Sequence, residues 1–178
     1  DGASIPKDEE LSDGISISKG ADIIRIITAD SLFQAQELIS RESDKTLDLN
    51  HMKVFVINRE ILRDEKKKEQ LYTYFLENDS MAWNTCLLLT EEKVEDLFCA
   101  DVPGEKSIGY YMEDLLKSRQ DVKDQSVFTV KDYMSLYQNQ TETMLVPVIS
   151  LADGQLAIEK YCIVSRGGDR GTLSVTDG

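Results

Sequence analysis

Residues 31–59 read SLFQAQELISRESDKTLDLNHMKVFVINR, and this stretch decides the fold. Its first part has the spacing of an amphipathic helix: Leu32, Ala35, Leu38 and Ile39 fall on one face, while Gln34, Gln36, Glu37 and Arg41 fall away from it. Ser31 opens the helix as a capping box, its hydroxyl accepting from the Gln34 N–H while the Gln34 side chain reaches back to the Ser31 N–H. Asp30 adds negative charge at the positive end of the helix dipole. After a polar connection comes Val54-Phe55-Val56-Ile57, apolar at every position and rich in β-branching, the pattern of a strand covered on both faces. The helix is expected to lay its apolar face on the sheet that holds this strand, which makes the stretch the centre of the fold.

Upstream, Asp22–Thr28 is DIIRIIT, a strand by its isoleucines. With the helix and Val54–Ile57 it makes a strand, helix, strand unit, whose two strands are expected to be parallel with a right-handed crossover. Residues 1–20 lack a sustained period and are expected to form a flexible arm, with residues 21–178 as a single globular domain. Downstream, the charged run at 63–70 merges into LYTYFL as one helix, with Leu71, Tyr74, Phe75 and Asn78 inward and Lys66, Lys67 and Lys68 on a solvated face.

Met81–Thr90 predicts a third strand, and Thr90 caps a short helix striped by Val94, Leu97 and Phe98. A helix over 107–119 carries Ile108, Tyr111, Met112, Leu115 and Leu116, and Thr129 caps a last one over 130–138. Met144–Leu151 and Gln155–Ser165 then form a hairpin about Asp153-Gly154, in which Pro147 demands an edge position or a bulge. A glycine-rich turn over 167–171 leads to a strand over 172–175. The fold class is α+β with an α/β-like start: a mixed β-sheet with helices packed on it, in the order β-α-β-α-β-α-α-α-β-β.

At 178 residues and 41% hydrophobic side chains the chain suits one domain. Its net charge of −13, from 33 acidic against 20 basic residues, opposes phosphate backbones and anionic lipid, so nucleic acid is excluded as a partner. No apolar run approaches the roughly 20 residues of a membrane span. Cys86, Cys99 and Cys162 make neither a CxxC pair nor an even set, and the first and last sit in apolar strands as small hydrophobes.

Catalytic chemistry needs a constellation, and none is legible. His51 is the sole histidine, placed at the entrance of the buried strand. It is either a base or ligand oriented by Asp48 or Asp44, or a structural residue that fixes the local turn, and the second account is preferred. Asp44, Asp48 and Asn50 have a loose oxygen-ligand spacing but lack the glycine and terminal glutamate of a calcium loop, so no metal is assigned. The 167–171 glycines match neither a phosphate loop nor a dinucleotide fingerprint, so no cofactor is assigned.

The order DIIRIITADSLFQAQELISRESDKTLDLNHMKVFVINREIL, residues 22–62, resembles the N-terminal domain of the Ger(x)C spore-germination lipoproteins, the C subunits of germinant receptors. Ser31, Leu32 and Ala35 match the helix part of the family motif, His51 its histidine, Val54 and Val56 its strand and Glu60 its tail; these seven are expected to be structural. The likeness continues more weakly to about residue 166. It implies an extracytoplasmic, non-enzymatic domain of a larger lipoprotein, held by an N-terminal lipid at the outer face of the inner spore membrane and partnered with integral-membrane A and B subunits. This chain shows no lipobox cysteine, and residues 1–20 stand where the family has a strand pair; it is expected to be a piece of a longer protein. The rival reading is a small-molecule-binding domain of an exported protein with a pocket beside the sheet. An enzyme built on His51 or Cys86 is the third and least supported.

Overall fold

The computed structural model describes residues 15–19, 22–42, 49–104, 106–118, 127–139 and 141–174. Seven strands and five α-helices lie within them: β1 (Ile15–Lys19), β2 (Asp22–Ile26), α1 (Leu32–Glu42), β3 (Val54–Asn58), α2 (Glu65–Glu77), β4 (Cys86–Thr90), α3 (Val94–Phe98), α4 (Ile108–Ser118), α5 (Val130–Gln138), β5 (Thr143–Ala152), β6 (Gln155–Ser165) and β7 (Gly168–Ser174). Strands β3 to β7 form one mixed sheet in sequence order, with β3, β4 and β5 parallel and β5, β6 and β7 antiparallel. The expected α+β class and mixed sheet are what the chain adopts.

Strand β4 shows why the sheet must be covered on both sides. All five of its residues are buried. Leu87 and Leu89 join Phe75 of α2 and Tyr133 of α5 in one core cluster, whereas Cys86 and Leu88 join Leu97 of α3 and Met112 of α4 in the other. Alternate side chains of a strand point to opposite faces, so both faces of Cys86–Leu89 are apolar, and the one polar residue, Thr90, stands at the strand's end. Each fully buried leucine here contributes roughly 1.5–3 kcal/mol.

Three features depart from the expected architecture. First, β2 does not join β3 in a strand, helix, strand unit. It pairs antiparallel with β1 over Ile15–Lys19 in a separate two-stranded sheet. Residues 15–19 are therefore strand rather than arm, because the isoleucines of β2 find ladder partners in the adjacent sequence; residues 1–14 lie outside the described residues. Second, α1 is not the centre. The capping hydroxyl of Ser31 does accept from the Gln34 N–H at 3.1 Å, but the Gln34 side chain accepts from Asp30 N–H at 2.6 Å, one residue earlier than expected. Leu32 and Phe33 remain exposed and neither core cluster holds an α1 residue. Instead α1 docks on α2, where Gln36 accepts from Tyr74 Oη at 3.0 Å and Asn78 Nδ2 at 2.8 Å and Phe33 meets the Tyr74 ring edge-on.

The third departure is Lys68, buried rather than solvated: its ammonium donates to Glu65 at 2.6 Å and to the Arg166 carbonyl at 3.2 Å. Thr90 likewise does not cap α3; it accepts from the Glu92 N–H, and α3 begins after Lys93. By contrast Thr129 and Asp132 close a full capping box on α5.

The expected hairpin turns at Asp153 and Gly154, both with positive φ, the conformation a two-residue hairpin loop requires. Pro147 is not on an edge, since β5 lies between β4 and β6; the accompanying bulge is one residue away, where β6 holds Glu159 extra between the partners of Val148 and Ile149. This bulge reverses the phase of β6, so that Leu156 and Ile158 face α4 while Cys162 and Val164 face α2 and α5.

Candidate functional site

A cleft of about 700 Å³ opens where the β1–β2 hairpin, the entrance of β3 and helices α3 and α4 come together. Ile24 and Ile26 of β2, Val54 of β3, Phe98 of α3 and Ile108 of α4 supply its apolar lining. Its polar lining is Asp22, Arg25, His51, Lys53, Glu95 and Ser107. The hairpin is pinned there because Asp22 accepts from the Ile108 N–H at 2.9 Å, a carboxylate at the N-terminus of an 11-residue helix where the dipole favours it. Lys53 lies over the Tyr110 ring, its ammonium 5.1 Å from the centroid.

A second constellation closes the sheet. The guanidinium of Arg59, just past β3, donates to Asp169 of β7 at 2.8 and 2.9 Å, to Glu91 after β4 at 2.6 Å and to the Gly171 carbonyl at 3.3 Å. Arg63 adds to the same carboxylate at 3.1 Å, and Glu91 accepts from Lys160 of β6 at 2.7 Å. Both the Arg59 and the Asp169 side chains are under 10% exposed, at 8% and 6%. The cluster thus ties the turn following one edge strand to the opposite edge strand. Arg59 and the Gly171 N–H hold the Asp169 carboxyl well below the usual carboxylate range against the opposing effect of burial, and Asp169 and Glu91 raise the Arg59 guanidinium further above its already high value. Burial first, then the bond to Asp169, pushes the Cys162 thiol up to about 12. Gly168 belongs to this closure: at φ +101° it lets β7 approach so closely that a Cβ there would lie 2.3 Å from the Leu62 carbonyl oxygen.

The seven residues singled out from the sequence do not form one site. Ser31 and Leu32 line a separate 380 Å³ hollow between α1 and α2, near Phe33 and Tyr74. Ala35 is half-buried in α1. His51, exposed in a tight helical turn over Leu49–His51, and Val54 line the main cleft. Val56 packs against the α3–α4 core, and Glu60 is exposed, its N–H donating to Asn58 Oδ1. Asp44 and Asp48, considered as partners of His51, lie outside the described residues. Among the described residues no group of three or more His, Cys, Asp or Glu side chains is placed to hold a metal ion. None of Cys86, Cys99 and Cys162 is in a disulfide.

Sequence reasoning missed Arg59, Asp169 and Lys53. Arg59 follows the apolar run Val54–Ile57 by two residues, and its buried partner is 110 residues away. Asp169 sat in a run read as a plain turn; its residues from Gly168 onward are strand β7.

The sequence matches the family model described as spore germination protein N-terminal domain over residues 3–151. The match begins before and ends before the expected span of 22–166, taking in β1 and stopping within β5. A search of curated proteins returned no match. The fold is similar to that of the crystal structure of the GerBC protein, with a TM-score of 0.53 and 15% sequence identity over 86% of this chain and 40% of that one. This chain therefore spans less than half the length of that protein, and at this identity the likeness is one of fold. No helix among the described residues is long and apolar enough to cross a membrane. The family match covers most of the chain, and the strand pair, motif helix and central strand lie within it: the chain belongs to the spore germination protein N-terminal domain family, that of the Ger(x)C germinant-receptor C subunits.

Proposed function

We propose that this domain acts without catalysis of its own, as an extracytoplasmic contact module of a germinant-receptor C subunit in receptor assembly or in transmission of the nutrient signal. The observation that carries this reading is the family match over residues 3–151. In this reading the integral-membrane A and B subunits are the partners, an N-terminal lipid supplies attachment at the outer face of the inner spore membrane, and Ser31, Leu32, Ala35, His51, Val54, Val56 and Glu60 serve the fold. Exposed Leu32, Phe33, Leu76, Trp83 and Tyr110 offer apolar contact area of the kind interfaces use. Against an enzyme stands the state of the thiols: burial raises Cys86, and Cys162 is raised to about 12, so neither supplies a thiolate near neutral pH. In-frame deletion of this domain from its gene is expected to abolish nutrient-triggered germination while a trigger that bypasses the receptor still works. Normal nutrient germination in the deletion strain would overturn the reading. A second reading, a small-molecule-binding domain of an exported protein, draws support from the 700 Å³ cleft.

A further inference from the structure

We infer that the cleft between the β1–β2 hairpin and helices α3 and α4 is a binding site for a small apolar carboxylate, with Lys53 as the group that takes its charge. The inference deepens the small-molecule reading and is independent of any role in receptor assembly. At about 700 Å³ the cleft falls within the roughly 300–1,000 Å³ of small-molecule sites, and its walls have their character, mostly apolar with a few polar groups.

The polar groups identify the ligand's charge. Asp22 already accepts from the Ile108 N–H. Arg25 and His51 are each engaged in an interaction of their own. Glu95 is exposed to water in the first turn of α3. Lys53 differs from all of these: it is half-buried, its ammonium lies over the Tyr110 ring 5.1 Å from the centroid, and it makes no ion pair with a described residue. A cleft-lining ammonium that faces an aromatic ring rather than a described carboxylate is the group from which a bound anion gains a charge-assisted hydrogen bond. The surrounding surface, from Ile24, Ile26, Val54, Phe98 and Ile108, suits a branched or cyclic hydrocarbon body attached to that anion.

Gly109 provides a test that does not depend on damaging the fold. It lines the cleft at the second residue of α4, and a Cβ added there meets nothing within 4 Å. Gly109→Leu therefore fills the cleft while replacing a poor helix former with a good one. The measurement is a titration of the ¹⁵N-labelled 178-residue chain with 4-methylpentanoate and, separately, with 4-methylpentanamide, following amide shifts of Val54 and of 108–111. Expected are shifts confined to the cleft, binding of the acid at least about tenfold tighter than of the amide, loss of that difference in Lys53→Met with its retention in Lys53→Arg, and loss of both ligands in Gly109→Leu at unchanged melting temperature. Equal binding of acid and amide by the parent chain, acid binding unaffected by Lys53→Met, or no cleft shifts up to about 10 mM acid would each overturn the assignment. None of these results bears on the germination phenotype of the deletion strain, so the two readings fail separately.

Discussion

Replacing Asp169 by asparagine keeps the side chain's shape and removes the charge at the centre of the sheet-closing cluster. The carboxylate accepts two bonds from Arg59, at 2.8 and 2.9 Å, and one from Arg63 Nη2 at 3.1 Å. Bonds to charged groups contribute about 1.5–3 kcal/mol each, and stranding one member of a buried ion pair costs about 3–5 kcal/mol. Arg59 is only 8% exposed at its side chain but keeps Glu91 at 2.6 Å, and Glu91 is 44% exposed, so the loss belongs near the lower bound. We expect Asp169→Asn to cost about 3 kcal/mol, a fall of roughly 1.5 M in the urea midpoint at pH 7 with the slope unchanged. The double variant Asp169→Asn, Arg59→Met should lose in total about 2 kcal/mol less than the sum of the two single losses.

The same pair fixes a pH dependence. Because the folded Asp169 carboxyl is held below its ordinary value, the unfolded chain binds the proton first as pH falls. Its contribution is present in full above about pH 4, where the unfolded carboxyl ionises, and is lost progressively as pH falls through the lower folded value. Asp169→Asn should therefore flatten the decline of stability below about pH 4. A cost under about 1 kcal/mol, the value for an exposed pair, or an unaltered acid limb would refute the reasoning.

Other positions give sharp expectations. Gly168→Ala combines a positive φ with a 2.3 Å approach to the Leu62 carbonyl, and should lower stability by about 2–4 kcal/mol in urea titration, whereas Gly109→Ala should not destabilise. Thr129→Ala removes one half of the α5 capping box and should cost about 1 kcal/mol by thermal unfolding, with Thr129→Ser recovering most of it. At pH 8 a thiol reagent should leave Cys86 and Cys162 unmodified in the native chain, both being buried with thiols held high, and should reach them once urea unfolds it; rapid native labelling of Cys162 would contradict its bond to Asp169.

Local chemistry was the legible part of the fold. The Asp153-Gly154 turn, the α5 capping box and the inner stripe of α2 follow from residues adjacent in the chain, which see the same neighbours folded or not. The partner of β2 is not legible in the chain, because DIIRIIT marks a strand but not what it pairs with, and the order of elements alone points to β3. The burial of Lys68 is hidden for a related reason: three lysines in a row belong to a solvated face by pattern, and only the approach of the Arg166 carbonyl gives the third a buried place. Of the candidate site, His51 and Val54 were visible as the entrance to a buried strand, while Lys53 beside them carried no signal, because its position opposite Tyr110 depends on where α4 packs.

The sequence by itself determined which segments are helix and strand over most of the chain, that the sheet is covered on both faces, and the family, since periodicity, caps and motif order are written along the chain. Only the tertiary structure decided that α1 lies outside the core, that β1 and β2 pair apart from the main sheet with β2 walling a cleft, and that Arg59 closes on Asp169. Those depend on contacts between residues far apart in sequence, each worth a few kcal/mol, which no local pattern encodes.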